Sequence, residues 1–212
     1  MGTYNKGILG SFRGTVGTVV GSSWRGIAVM KSRSGKRKGL PSQAQLDQQT
    51  RFSMMTEFLG NFKSLLDLGF SKFGKAKTAY NSAFSYNLKE AISGGYGNAA
   101  IQYDNILLTK GKLFNAMDAI AEAAAGKVKF SWSDDTGIKN AKADDQVILA
   151  VYCENKKTAL YHLNLGTRAD MGAELPIPTA FHGKQVRAWI SFISADGKEI
   201  ADSLYLGELL AD

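Results

Sequence analysis

The chain has very little of the side-chain chemistry that metal sites, redox centres and hydrolytic triads use. Its 212 residues include one cysteine, Cys153, and two histidines, His162 and His182. A single cysteine excludes an intrachain disulfide and a cysteine-rich metal cluster. A Ser-His-Asp or Cys-His site would need one of the two histidines as its base, and no G-x-S-x-G motif accompanies either. We therefore predict that the protein is not an enzyme and has no catalytic residues, cofactor or bound metal.

Phosphate-binding and calcium-binding loops are missing as well. Neither G-x-x-x-x-G-K-[ST] nor G-x-G-x-x-G occurs, which excludes the two common glycine-rich nucleotide loops. The acidic pairs Asp134-Asp135 and Asp144-Asp145 lack the alternating ligands and the closing glutamate of an EF-hand, so we expect solvated loop carboxylates. No small-molecule substrate follows from these patterns.

Long hydrophobic runs are also absent. No segment approaches the ~18 apolar residues of a membrane-spanning helix. The start, MGTYNK, has no continuous apolar stretch behind its charge, unlike a secretory signal. We expect that the protein is made in the cytoplasm without a signal peptide and does not insert into a membrane. An assembled particle is its expected final location.

Acidic residues are scarce in one part of the chain. Residues 1–40 contain eight Lys or Arg and no Asp or Glu. Residues 1–100 contain 14 basic and four acidic residues, whereas residues 101–212 contain 12 basic and 15 acidic residues. The overall charge of +7 therefore combines +10 in the first half with −3 in the second. Such a division favours an anionic partner, or an acidic surface of a neighbouring subunit, for the basic region.

The first half predicts a β-hairpin followed by two helices. Residues 14–31 are rich in β-branched side chains, and Gly21-Ser22-Ser23 supplies turn residues between two runs. The basic loop 31–40 follows. Ser42 and Gln45 fit a capping box at the start of an amphipathic helix over about 43–68. A second amphipathic helix over about 78–93 is ended by glycines.

Beyond residue 96 the hydrophobic period changes from 3.6 to 2, which indicates strands. Residues 113–125 are alanine-rich, and an extended or a short helical connection both fit them. Short strands separated by polar turns are typical of an immunoglobulin- or fibronectin-III-like β-sandwich. We predict an α+β fold with a basic glycine-rich hairpin and helical domain at 1–97 and the sandwich domain at 98–212. The predicted strands are 106–109, 128–132, 147–153, 158–163, 185–193 and 200–206.

Four stretches of the sequence carry a resemblance to a known family. They are MGTYNKGILGSFRGTVGTVVGSSWRGIAVM, KTAYNSAFSYNLKEAI, FSWSDDTGIKNAKADDQVILAVY and ISFISADGKEIADSLYLG. Over nearly its whole length, the chain resembles an uncharacterised Bacteroidetes family described as a domain of unknown function. The resemblance implies no established activity. The basic run at 36–38 departs from the less basic loop of that family.

The basic residues near the start form the candidate partner-binding set. Phosphates attract such a cluster by charge, and aromatic side chains among basic residues can stack on single-stranded bases. A protein partner, nucleic acid and simple solvation are three open interpretations. Our leading hypothesis is a non-enzymatic structural protein that forms homo-oligomers, as a component of a phage or phage-derived particle or appendage. The alternative is a nucleic-acid-binding accessory protein. The candidate residues are Arg13, Trp24, Arg25, Lys31, Arg33, Lys36, Arg37 and Lys38.

Overall fold

The protein mixes helices and β-sheets in two compact units. The computed structural model describes residues 3–4, 10–24, 26–35, 39–73, 77–95 and 97–212. The first unit is Met1–Pro41 and the second is Ser42–Asp212. The α-helices of the described residues are α1 (Gln43–Gly60), α2 (Lys63–Gly69) and α3 (Ala79–Glu90). The strands are β1 (Thr3–Tyr4), β2 (Phe12–Val16), β3 (Val19–Trp24), β4 (Ile27–Ser32), β5 (Ile92–Ser93), β6 (Ala100–Ile101), β7 (Ile120–Ala124), β8 (Lys127–Ser131), β9 (Gln146–Cys153), β10 (Thr158–His162), β11 (Gly172–Pro176), β12 (Gln185–Ile193) and β13 (Leu204–Leu210).

The first unit is a four-stranded antiparallel sheet in the order β1-β2-β3-β4. The prediction of a single hairpin with its turn at residues 21–23 is wrong, because these residues lie inside β3. The turns fall instead beside Gly17 and Gly26, whose φ angles of 58° and 83° are costly for other residues. Gly21 serves a different purpose, since a side chain there would overlap Phe12.

Of the helices in the second unit, α1 and α3 begin within a residue of the predicted starts at 43 and 78, and they end earlier than predicted, at Gly60 and Glu90. The capping box is confirmed: Gln45 N–H donates to Ser42 Oγ at 3.4 Å, and Ser42 N–H donates to Gln45 Oε1 at 3.2 Å. The predicted single helix over 43–68 is two helices, because the Asn61 side chain donates to the carbonyls of Glu57 and Phe58 and caps the end of α1. No helix in the described part of the chain is long and apolar enough to cross a membrane.

The core of the second unit has two parts that share the sheet β10-β9-β12-β13. One set of alternate residues in β9 and β12, including Leu149 and Ile190, joins the three-stranded sheet β11-β8-β7 in one hydrophobic cluster. The other set, including Tyr152 and Trp189, packs against Phe58 of α1. Both faces of β9 and β12 are therefore buried. Because helices and sheets share this core, the predicted boundary near residue 97 lies inside the second unit.

The strand predictions for this unit hold in part. Strands near 128–132, 147–153, 158–163 and 185–193 are present as β8, β9, β10 and β12. Residues 106–109 form no strand, and β13 begins at Leu204 rather than at residue 200. The alanine-rich segment contributes β7, and β11 ends on Pro176. Pro176 is tolerated there because β11 lies at an edge of its sheet.

Candidate partner-binding surface

The first unit exposes an apolar edge strand. Among the described residues of this unit, Gly21 alone is buried. All six residues of β4 are exposed, and Ile27 and Met30 keep 61% and 69% of their surface accessible. The sheet order places β4 at an edge, where no further strand of the described residues pairs with it. An exposed apolar edge strand is a template for pairing with another chain.

Both faces of β4 contribute to this surface. Trp24 pairs with Ile27, and Val20 pairs with Lys31. Strand alternation therefore places Ile27, Val29 and Lys31 on the same face as Trp24. Met30 pairs with Gly21 and lies on the opposite face. We call β4 together with Trp24 the β4 surface.

The predicted basic residues that the structure describes are exposed. Arg13 lies in β2, Lys31 in β4, and Arg33 directly after β4, where its backbone N–H donates to Thr18 O at 2.7 Å. Residues 1–41 hold eight basic residues and no acid, whereas residues 42–212 hold 18 basic and 19 acidic residues. The excess positive charge thus belongs to the first unit. The other candidate residues, Arg25, Lys36, Arg37 and Lys38, lie outside the described residues.

The side chains that an enzyme or metal site would need belong to the second unit. His162 is exposed on β10, and its Nδ1 accepts the N–H of Asn164 at 3.2 Å. His182 is exposed after a short 3-10 turn, and Cys153 is buried. Within the described ranges, no three His, Cys, Asp or Glu side chains are placed to hold a metal ion. The absence of enzymatic activity stays a prediction.

One residue of each acidic pair is buried rather than solvated. Arg168 Nη1 donates to both oxygens of Asp135 at 2.8 Å, and its Nε donates to Asp145 Oδ2 at 3.1 Å. The three side chains are at most 1% exposed. Arg168 also donates to Phe114 O at 2.6 Å and stacks 4.0 Å from the centre of the Phe192 ring. Sequence reasoning missed this cluster because Arg168 lies more than 20 residues from either acid.

A cavity of about 610 Å³ opens beside α1, β9, β12 and β13. The Arg187 guanidinium lies 3.9 Å from the centre of the Tyr103 ring at its wall and pairs with Glu154 at 2.8 Å and Glu208 at 2.5 Å. Burial, with the nearby Glu154 carboxylate, raises the pKa of Tyr152 to about 12 and raises the pKa of Tyr103 as well. Arg187 pairs with two carboxylates and Lys157 pairs with Glu57 at 2.8 Å, so neither of these described cations of the lining is free to meet a ligand.

The fold and its surfaces define a mixed helix-and-strand protein with an exposed basic sheet. The chain belongs to the family described as Family of unknown function (DUF6266), which matches residues 11–207. No curated protein matches the sequence. A solution structure of the fn3 domain of human contactin 1 is similar over 57% of this chain and 93% of that chain, with 12% identity and a TM-score of 0.32. The family resemblance is thus confirmed, whereas its restriction to Bacteroidetes stays a prediction.

Proposed function

We propose that this protein is a non-enzymatic structural protein that forms homo-oligomers by pairing β4 with β4 of a second copy. The observation that carries the proposal is the edge strand that is exposed at all six positions and apolar on both faces. The proposal concerns the first unit and its counterpart in the second copy.

The exposed apolar side chains of the first unit require contact with another protein surface. One residue is buried among those that the structure describes in this small sheet, which is too little core for the sheet to be stable alone. Burying a large apolar side chain such as Ile27 or Met30 stabilises a contact by roughly 1.5–3 kcal/mol. Phosphate groups or water would leave these side chains without apolar contacts. A protein surface therefore suits β4 better than a nucleic acid does.

A second copy fits the edge because antiparallel pairing about a two-fold axis uses the same strand twice. In a register centred on Val29, this residue faces its own copy and Met30 faces Ala28. Ile27 then lies opposite Lys31 of the second copy. The two lysines do not oppose each other, so the pairing avoids a direct like-charge contact.

The test compares two lysine substitutions at exposed apolar sites. Met30→Lys places a charge in the middle of the contact, whereas Leu210→Lys places one on β13, where the side chain is similarly exposed at 66%. We expect sedimentation velocity to show an oligomer for the wild type and Leu210→Lys and a monomer for Met30→Lys. A wild-type monomer at high concentration, or an equal effect of both substitutions, refutes the proposal.

The dependence of self-association on salt concentration is a second, independent test. Each first unit carries eight basic residues and no acid, so two units repel each other at low ionic strength. Salt screens that repulsion, and the self-association constant should rise between low and physiological salt. A fall with salt would point to charge attraction instead.

A second candidate function is nucleic-acid binding by the first unit. The exposed Arg13, Lys31 and Arg33, together with the partly exposed Trp24, favour it. Such binding weakens with salt because phosphate contacts release counterions. Fluorescence anisotropy with a single-stranded and a double-stranded oligonucleotide tests it, with Lys36, Arg37 and Lys38 changed to Ala. The absence of salt-sensitive binding, or full binding by the triple variant, removes this candidate.

We also propose that the four-stranded and three-stranded sheets of the second unit form an immunoglobulin- or fibronectin-III-like β-sandwich within a particle or appendage subunit of phage type. The hydrophobic cluster common to both sheets supports the sandwich. Electron microscopy of the untagged protein tests the particle. A ring, shell or filament is expected, and isolated globular molecules would contradict it.

A further inference from the structure

The second unit contains a cavity that combines apolar walls with a lysine rim. Its volume is about 460 Å³, and it lies between the end of α2, residues 110–112 and the turn that joins β12 to β13. Pockets of this size and composition commonly hold small molecules. We call it the lysine cavity. The walls include Leu68, Phe73, Ile193 and Ile200, and the rim includes Lys72, Lys110, Lys112 and Lys198.

Close backbone packing builds the walls of the lysine cavity. A side chain at Gly111 would overlap the carbonyl oxygen of Ile200, and one at Gly69 would come within 2.7 Å of Leu108 O. Lys110 N–H donates to Gly69 O at 3.0 Å. The segment that carries Lys110 is therefore held against α2 and against the strand connection, and the cavity exists before any ligand arrives.

Three of the four ammonium groups at the rim have no carboxylate partner among the described residues, and the fourth, Lys198, pairs with Asp196. Lys110 Nζ lies 4.4 Å from the centre of the Tyr86 ring and 5.4 Å from that of Phe73. Lys72 Nζ donates to the carbonyl oxygen of Lys198. In the described part of the chain, no Asp or Glu forms an ion pair with Lys72, Lys110 or Lys112.

The carboxylates near the rim are already engaged. Asp196 pairs with Lys198 at 3.0 Å, and Glu199, which itself lines the cavity, accepts from the Asn140 side chain at 2.9 Å. Asp202 accepts the N–H of Gly111 at 2.8 Å. The lining of the cavity therefore holds four lysines against one glutamate, and Lys110 and Lys112 have neither a carboxylate nor a carbonyl partner among the described residues.

We propose that the lysine cavity binds an organic anion with an apolar body, its head group held by Lys110 and Lys112 and its body against the apolar walls. Carboxylate, sulfonate and phosphate heads share the chemistry that an ammonium recognises. The apolar body supplies affinity by leaving water. This proposal involves the second unit alone and does not depend on self-association.

Isothermal titration calorimetry with a matched series of amphiphiles tests the ligand class. Decanoate has an anionic head group and an apolar chain. Acetate has the anionic group without the chain, and decyltrimethylammonium has the chain with a cationic head group. We expect saturable one-to-one binding of decanoate and none of the other two. Equal binding of decanoate and decyltrimethylammonium, or no saturable binding of decanoate, overturns the proposal.

Variants then locate the site. Lys110→Gln with Lys112→Gln removes two ammonium groups, and we expect decanoate affinity to fall by at least about tenfold, the usual effect of losing a charge-assisted hydrogen bond. The control is Lys139→Gln, which removes an ammonium 4.7 Å from the Phe114 ring, outside the cavity lining. The affinity of the Lys139→Gln variant for decanoate should match that of the wild type. An equal loss in both variants, or no loss in the double variant, contradicts the site.

Discussion

Replacing Arg168 should cost more stability than any exposed ion pair in the protein. Arg168→Met keeps an unbranched but shorter side chain and removes the bonds to Asp135, Asp145 and the carbonyl of Phe114. Two carboxylates would remain buried without a cation. Each then keeps one backbone donor, Met117 N–H at 3.3 Å for Asp135 and Lys142 N–H at 2.9 Å for Asp145.

The size of this loss of stability follows from the burial of Arg168, Asp135 and Asp145. Breaking a buried ion pair by removing one partner costs about 3–5 kcal/mol, a large share of the roughly 5–15 kcal/mol that stabilises a typical domain. We expect the free energy of unfolding, measured by urea denaturation, to fall by that amount. Lys127→Met, which breaks an exposed pair with Glu174, should cost less than about 1 kcal/mol.

A rescue variant separates lost charge from lost packing. Arg168→Met combined with Asp135→Asn and Asp145→Asn leaves no buried charge, and it should be more stable than Arg168→Met alone. A loss below about 1 kcal/mol for Arg168→Met, similar to the exposed control, would refute the reasoning. So would a triple variant that is less stable than the single one.

Two further predictions concern the second unit. Gly111→Ala should lower the free energy of unfolding by about 1–3 kcal/mol, because the added carbon overlaps Ile200 O; urea denaturation that shows no change would contradict this close packing. The pKa of Tyr152 lies at about 12 in the folded protein, against an ordinary value of 10.0. The unfolded chain therefore loses this proton first, and the free energy of unfolding should fall between pH 10 and pH 12. Tyr152→Phe should show a smaller fall in alkaline denaturation, and an identical fall would contradict the assignment.

Local signals in the sequence predicted the elements that local chemistry determines. Ser42 and Gln45 form their capping box as expected, because the motif needs only residues three apart. β9 and β12 are long, β-branched and buried, and their bounds lie within a residue of the prediction. β7 and β11 were harder, because alanines favour helix and Pro176 signals a turn, and pairing with β8 overrides both preferences.

The candidate surfaces depend on contacts that no local pattern reveals. The sequence indicated a basic first unit, and the exposed Arg13, Lys31 and Arg33 agree with it. It did not indicate the edge position of β4, because strand order depends on which turns form, and Gly17 and Gly26 were not recognised as the turn glycines. The lysine cavity combines residues up to about 130 positions apart, from Leu68 to Ile200, so no spacing rule could have found it.

The central claim is that β4 pairs with β4 of a second copy, and amide hydrogen exchange across protein concentration tests it most directly. Amides on a free edge exchange quickly, whereas amides in a strand pair are protected. We predict that protection of Ile27–Ser32 rises with protein concentration, while protection of the buried β9 stays constant. Rapid exchange of Ile27–Ser32 at every concentration would contradict the account.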